Sequence, residues 1–243
     1  SGTVGFTNGS ITIGSGSIGT NNGALNLDAT SFFQHSGATL YFAGSASAPA
    51  ANSLRFGGTL SYINTTNLNT PSLWQQAGFI YQNTNFTVGS FNQQAGTMYG
   101  TLPLTFNTYN MTNAEYRGAD CVITNLNWLG GGFNADGPGS NTVTIPTGGT
   151  MNISGPVAKG LSYYTPPGRT LVNNGTATWS GAGITGQDKA TILNNSSMMF
   201  AGDFSLVWGG AGSDSRSAAD DCPVLRQGDR PQGQVPGELQ LRL

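Results

Sequence analysis

Ionisable side chains are rare in this chain, and four of them lie close enough in sequence to suggest a reaction. Glu115, Arg117 and Asp120 fall within the segment NAEYRGAD, and Asp136 follows about one repeat further along the chain. Two carboxylates about 5–10 Å apart can act as acid and base in glycoside hydrolysis, and an acid pair beside an arginine can abstract a proton in a polysaccharide lyase. These three carboxylates are therefore candidate acid and base residues, with Arg117 as the group that orients a substrate. The alternative is a loop in which Glu115 and Asp120 simply hold Arg117.

A second set of candidates is aromatic. Tyr163 and Tyr164 adjoin a Pro-Pro turn, and Trp128 and Trp179 lie among Gly, Ser and Asn residues. Aromatic rings bordered by amides and hydroxyls bind sugars well, because the apolar ring face is buried while the amides meet the sugar hydroxyls. We therefore expect these four residues to contact a polysaccharide. The alternative is that the rings fill the protein core.

Other chemistries find little support in the composition. One His and two Cys are too few for a zinc site built from several such ligands, and no metal or other cofactor is predicted. The single histidine, His35, has no G-x-S-x-G phrase to accompany it, as serine hydrolases of that type would require. Nine basic against eleven acidic residues exclude the basic surface that nucleic-acid binding needs.

The threonines raise a further alternative, because flat threonine arrays order water on ice-binding solenoids. Thr144, Thr150, Thr176 and Thr178 do not form a strict T-x-T series. Ice binding is therefore only a minor alternative.

The segments that carry these residues are predicted to be short β-strands. Residues 10–13, 59–63, 142–145 and 150–153 alternate apolar residues with Thr, Ser or Asn, which is the period of a half-buried strand. Gly, Asn and Pro separate the runs and supply the turns. No window shows helical periodicity over three turns, so the chain is predicted to be all-β.

Repetition along the chain favours one all-β architecture. A Gly-(Ala/Thr)-Leu phrase, or one close to it, opens strands at Gly23, Gly58 and Gly100, and residues 141–203 divide into three stretches of similar length. Repeats of about 20 residues with two or three strands each are typical of a β-solenoid, whose coils bury a shared core. The low charged content of 8% fits stacked coils, since like charges on neighbouring strands repel. A β-sandwich is the alternative.

The end of the chain differs from the rest. Nine of the twenty charged residues lie within residues 213–243, which also contain Pro and Gln but no aromatic residue. We therefore divide the chain into a solenoid domain, residues 1–212, and a tail, residues 213–243, that is disordered or of unrelated origin. No run of about 18 apolar residues is present, so no membrane-spanning helix is predicted.

The segments TVTIPTGGTMNISG and GRTLVNNGTATWSGAGITG resemble tandem repeats of bacterial secreted β-solenoid proteins. These are the autotransporter-associated and filamentous-haemagglutinin-like strand repeats. The resemblance implies a right-handed parallel β-helix at the cell surface that serves as a stalk, an adhesin or a carbohydrate-contacting module. It brings no shared catalytic motif, so it assigns no catalytic residue.

Together these observations predict a secreted or surface module with a structural or adhesive role. Its expected partner is a polysaccharide or cell-surface glycan. The alternative is a polysaccharide-cleaving enzyme, a hydrolase or a lyase, on the same scaffold, with Glu115, Asp120 and Asp136 in its active site. The identity of the glycan and the oligomeric state do not follow from the sequence.

Overall fold

Parallel β-strands stacked as a solenoid make up the described fold, apart from the last strand. The computed structural model describes residues 3–6, 9–51, 53–65, 68–135, 141–161, 168–187, 190–201, 206–208 and 239–242. All of the regular secondary structure in these ranges is β-strand, and the strands form three sheets. The predicted all-β solenoid is therefore confirmed, and the alternative of a β-sandwich is wrong.

Sheet 1 has four strands and lies along the N-terminal part of the solenoid only. Its strands, in order of pairing, are β1 (Thr3–Phe6), β4 (Ala24–Leu27), β7 (Ser45–Ser47) and β10 (Leu68–Asn69). All three pairings are parallel.

Sheet 2 has fourteen strands and runs along the solenoid. Its first half contains β2 (Ser10–Ile13), β5 (Phe32–His35), β8 (Leu54–Phe56), β11 (Ser72–Gln75), β13 (Thr87–Gln93), β15 (Leu104–Met111) and β17 (Cys121–Trp128). Beyond β17 each coil contributes two shorter strands: β19 (Thr142–Ile145) and β20 (Thr150–Ile153), β22 (Thr170–Asn173) and β23 (Thr176–Trp179), and β25 (Thr191–Asn194) and β26 (Ser197–Phe200). The last strand is β28 (Leu239–Arg242).

Sheet 3 has ten strands, one from each successive coil. They are β3 (Ile18–Asn21), β6 (Thr39–Phe42), β9 (Leu60–Ile63), β12 (Phe79–Gln82), β14 (Thr97–Gly100), β16 (Ala114–Gly118), β18 (Gly131–Asn134), β21 (Lys159–Leu161), β24 (Ile184–Gly186) and β27 (Leu206–Trp208). Because the strands pair in register, side chains from equivalent positions form columns along the solenoid.

The core lies between the sheets and is formed by alternate residues of each strand. In β12, for example, Ile80 is fully buried while its neighbours Phe79 and Tyr81 point outward. Aromatic rings fill much of the middle of the core, where Phe91, Phe106 and Tyr109 lie in mutual contact. A coil cannot bury this apolar surface alone, so neighbouring coils share one core.

Part of the core is polar and is satisfied internally. Gln93 donates from Nε2 to Gln75 Oε1 and to the Glu115 carbonyl oxygen, each at 2.8 Å. Tyr109 donates its hydroxyl proton to Gln93 Oε1. Buried amides need such partners because desolvation without a hydrogen bond is costly. The network therefore fixes the relative register of three consecutive coils.

The tail contributes one strand to the fold. β28 pairs with β25, and this is the only antiparallel pairing among the described strands. Residues 213–238 lie outside the described residues, so the predicted domain boundary at residue 212 stays a prediction.

Candidate functional site

Sheet 3 carries a column of four tyrosines on its outer surface. Tyr41, Tyr62, Tyr81 and Tyr99 pair in register through successive strands. Their rings stack with centroid separations of 5.1, 5.4 and 4.7 Å. Stacked rings cover one another's faces, so this tyrosine column presents ring edges and phenol hydroxyls to solvent.

A second outward column lies two residues before the tyrosines and begins one strand earlier, on β3. It consists of Ile18, Thr39, Leu60, Phe79 and Thr97, in register from coil to coil. Ile18 is 72% exposed and Phe79 is 42% exposed. We call the two columns together the tyrosine face; from Ile18 to Tyr99 it is uncharged and partly apolar.

An ion pair marks the next level of the tyrosine face. Glu115 pairs in register with Thr97, and Arg117 with Tyr99. Arg117 donates to Glu115 Oε2 at 2.9 and 3.0 Å, and its guanidinium lies 5.8 Å from the centroid of the Tyr99 ring. The structure thus joins two of the predicted site residues, Glu115 and Arg117, as a direct pair.

A shallow groove of about 620 Å³ begins at this ion pair. Gly132 and Gly160 follow Glu115 in the same column, and without side chains they leave the floor of the groove open. Phe79 and Thr185 also line it. Among the described lining residues Glu115 is the single carboxylate, whereas acid–base glycoside hydrolysis uses two.

Lys159 lies beneath this groove but its amine is engaged by the backbone. The residue is 1% exposed, and Nζ donates to the carbonyl oxygens of Val157 at 2.9 Å and Gly155 at 3.2 Å. Burial lowers the pKa of the Lys159 amine. Lys159, the first residue of β21, is thus held by its side chain to the turn that precedes this strand.

The other predicted catalytic carboxylates are Asp120 and Asp136. The carboxylate of Asp120 accepts a hydrogen bond at 2.7 Å from the backbone amide of Thr142, in sheet 2. Asp136 lies outside the described residues. The residue in register with Glu115 on the next coil is Gly132, because this coil is shorter than the repeat expected from the sequence.

The tryptophans of the predicted sugar site fill the core. Trp128 is fully buried and Trp179 is 1% exposed, and each indole donates to a backbone carbonyl. Neither ring offers a face to a surface ligand, as the core-filling alternative expects. Tyr163 and Tyr164 lie outside the described residues. Trp74 instead points outward from sheet 2 and is half-buried.

A flat polar surface follows Trp74 along sheet 2. Five consecutive coils each place two outward residues on it, and every one is Ser, Thr or Asn: Ser90, Asn92, Thr108, Asn110, Asn125, Asn127, Thr150, Asn152, Thr176 and Thr178. We call this surface the amide–hydroxyl face. Trp74 precedes Asn92 in the same column.

Hydrogen bonds between coils order the amide–hydroxyl face. Asn110 donates to Asn92, and Asn127 donates to Asn110, each at 2.7 Å. Thr150 donates to Asn125 at 2.9 Å. Each bridging amide oxygen retains a further lone pair, so the ladder holds its side chains in place and leaves acceptors at the surface.

The threonines considered for ice binding occupy three different columns. Thr150 and Thr176 pair in register, and Thr178 lies in the adjacent column. Thr144 lies on β19, where it pairs with Val122 and Val172. Asn occupies much of the amide–hydroxyl face where a T-x-T array would have Thr.

Reactive groups inside the solenoid are shielded. Cys121 is a buried free thiol, and burial raises its pKa from 9.0 to about 12, a rise that the charge of Arg169 opposes. Arg169 is itself fully buried and lies 5.3 Å from the centroid of the Tyr116 ring. Since the thiolate is the nucleophile, Cys121 is unreactive in the folded chain.

A metal site and a membrane-spanning helix are both absent from the described ranges. In that part of the chain no three His, Cys, Asp or Glu side chains come together as a metal site. The same residues include no helix with the length and apolar character needed to cross a bilayer.

Comparison of the chain with protein-family models, with curated proteins and with solved structures finds no match.

Sequence reasoning missed both surfaces. The spacing between successive column tyrosines shortens from one coil to the next, so a fixed period does not align them. The signal that finds them is a tyrosine at the third position of four consecutive sheet 3 strands, TLYF, LSYI, FIYQ and TMYG, interpreted together with strand alternation.

Proposed function

We propose that this chain is a secreted or cell-surface structural module that adheres to polysaccharide through the amide–hydroxyl face. The observation that carries the proposal is the unbroken run of Ser, Thr and Asn in two adjacent outward columns over five coils. Hydroxyls and amides are neutral groups that can both donate to and accept from sugar hydroxyls. A surface free of charge favours an uncharged glycan.

Trp74 supports the same assignment. It is the half-buried tryptophan that points outward at one end of the face, next to Asn92. An indole beside amides can cover the apolar face of a sugar ring while the amides bind the hydroxyls. The resemblance of the strand phrases to bacterial secreted repeats supports a location outside the cell.

The hydrogen bonds between asparagines of successive coils make the amide–hydroxyl face a rigid binding surface. Because Asn92, Asn110 and Asn127 are already held by one another, little side-chain entropy is lost when a glycan binds. The amides lie one coil apart, about 4.8 Å, so a linear polymer lying along the solenoid can repeat the same contact from coil to coil.

Retention on polysaccharides tests the proposal. The purified chain is mixed with a panel of insoluble and soluble plant and bacterial polysaccharides, and binding is measured by pull-down and affinity electrophoresis. We expect one uncharged polysaccharide to retain it. The double variant Asn152→Ala/Thr176→Ala, at exposed positions on the face, should bind about tenfold more weakly, since each lost hydrogen bond contributes roughly 0.5–1.5 kcal/mol.

The matched control is Asn69→Ala/Thr59→Ala, which removes the same side chains from exposed positions outside the face. Equal losses in both double variants, or retention by no polysaccharide, would count against the proposal. Release of reducing ends that Glu115→Gln abolishes would favour the enzyme instead. Thermal hysteresis without polysaccharide retention would favour ice binding.

A further inference from the structure

We propose that the tyrosine face is an interface between two copies of this chain, which associate face to face with their solenoid axes parallel. The inference concerns a different surface from the amide–hydroxyl face and does not depend on glycan binding. An uncharged sheet face with exposed apolar and aromatic side chains is the kind of surface that marks an interaction site.

The two columns of the tyrosine face are complementary to each other. In a two-fold arrangement about an axis parallel to the solenoid, each column of one copy faces the other column of its partner at the same level. Tyr81 then lies opposite Phe79 of the second copy, and Tyr62 lies opposite Leu60. Each of the four tyrosine levels therefore matches a tyrosine with a smaller or apolar residue.

The charges of Glu115 and Arg117 favour the parallel arrangement of the two copies over the antiparallel one. Glu115 lies in one column and Arg117 in the other, at the same level. In the parallel pair Glu115 of each copy faces Arg117 of the other, which gives two reciprocal ion pairs. In the antiparallel pair each column would face the same column of the second copy in reverse order, and this charge match would be lost.

A sugar is the less suitable occupant of this face. The column rings lie within 4–27° of parallel at centroid separations of 4.7–5.4 Å, so neighbouring tyrosines cover the ring faces on which a sugar would stack. Ring edges and aliphatic side chains remain, and these pack well against the equivalent surface of a second copy.

The size of the face sets the strength of the pairing. Five levels at about 4.8 Å and a strand width of about 13 Å give a footprint of a few hundred Å², below the size of stable interfaces. We therefore expect a weak, concentration-dependent dimer.

Sedimentation velocity at low ionic strength, from about 1 μM to about 1 mM, tests the proposal, because screening is weak there. The wild-type chain should self-associate, and Glu115→Arg or Arg117→Glu alone should weaken association about tenfold or more. The double variant E115R/R117E should associate as the wild type does, because both the internal pair and the facing pairs are restored. Circular dichroism melting confirms that each variant is folded.

Mixing separates the interface from an effect on folding. Fluorescently labelled E115R/R117E should pair with itself but not with the wild-type chain, since Glu would then face Glu and Arg would face Arg. Equal pairing of the two proteins with each other and with themselves would overturn the proposal. A wild-type chain that stays monomeric at the highest concentration would overturn it too.

Discussion

At the scale of single residues, His35 links the core to pH. Its Nδ1 lies 2.8 Å from Ser61 Oγ, its Nε2 is buried without a hydrogen-bond partner, and burial lowers its pKa below 6.5. Protonation would therefore place an unpaired charge inside the solenoid.

The lowered pKa of His35 determines whether the folded chain gains or loses stability as the pH falls. In the unfolded chain His35 takes up a proton near its ordinary pKa of about 6.5, whereas in the folded chain it does so only at lower pH. The unfolded state thus binds more protons below about pH 7, and stability falls as the pH drops through that window. Urea unfolding at pH 7.5 and 5.5 should show a smaller difference for His35→Gln than for the wild type. An equal difference would mean that the imidazole is not the group responsible.

Two tryptophans show why the sequence alone does not predict whether a side chain points into the core or toward solvent. Trp74 and Trp128 occur in similar surroundings of apolar and amide residues, yet one points outward and the other inward, because their positions differ by one step of the strand alternation relative to the core. Assigning the correct face requires the strand ends, and β17 is twice as long as β11.

At the scale of elements, glycines at coil corners allow neighbouring backbones to approach. Gly78 has φ +66° and a Cβ there would overlap the Gly58 carbonyl oxygen, whereas Gly148 has φ +79° with open space around it. Gly148→Ala should cost about 1 kcal/mol from the left-handed backbone alone. Gly78→Ala should cost roughly 3 kcal/mol or more because the clash is added. Equal losses in the free energy of unfolding would contradict the stacking described at this corner.

The buried Gln93 network and the asparagine ladder of the amide–hydroxyl face should contribute differently to the free energy of unfolding. Gln93→Leu removes the partner of Gln75, Tyr109 and the Glu115 carbonyl inside the core, and we expect a loss of about 3 kcal/mol or more. Asn110→Leu removes two ladder hydrogen bonds at the surface, where water can replace them, and about 1 kcal/mol is expected. Equilibrium denaturation of both variants measures the difference. A larger loss for Asn110→Leu would show that the outer ladder, and not the inner network, holds the coils in register.

The alternation of apolar and polar residues predicted the strands, but it did not predict the register in which strands of neighbouring coils pair. The runs at residues 10–13, 142–145 and 150–153 all form strands as expected. The repeat length expected from the sequence places Asp136 above Glu115, but the coil between β16 and β18 is shorter and brings Gly132 to that position. Turn lengths vary from coil to coil, and stacking rather than sequence period determines which residues share a column.

At the scale of the whole molecule, the solenoid separates two surfaces with different chemistry. Sheet 2 carries the amide–hydroxyl face, which is polar and uncharged, and sheet 3 carries the tyrosine face, which ends at the Glu115–Arg117 pair. The repeats predicted a solenoid, and the aromatic and amide residues predicted a glycan partner. They could not predict this division, because the outward residues of each sheet come from many separate short strands.

The measurement that tests the proposed function most directly is hydroxyl-radical footprinting with and without a retained polysaccharide. We expect protection of Trp74 and of the sheet 2 strands that carry the amide–hydroxyl face, while Phe79 and Tyr81 change only as far as self-association requires. Protection centred on the groove beside Glu115, with sheet 2 unchanged, would contradict it.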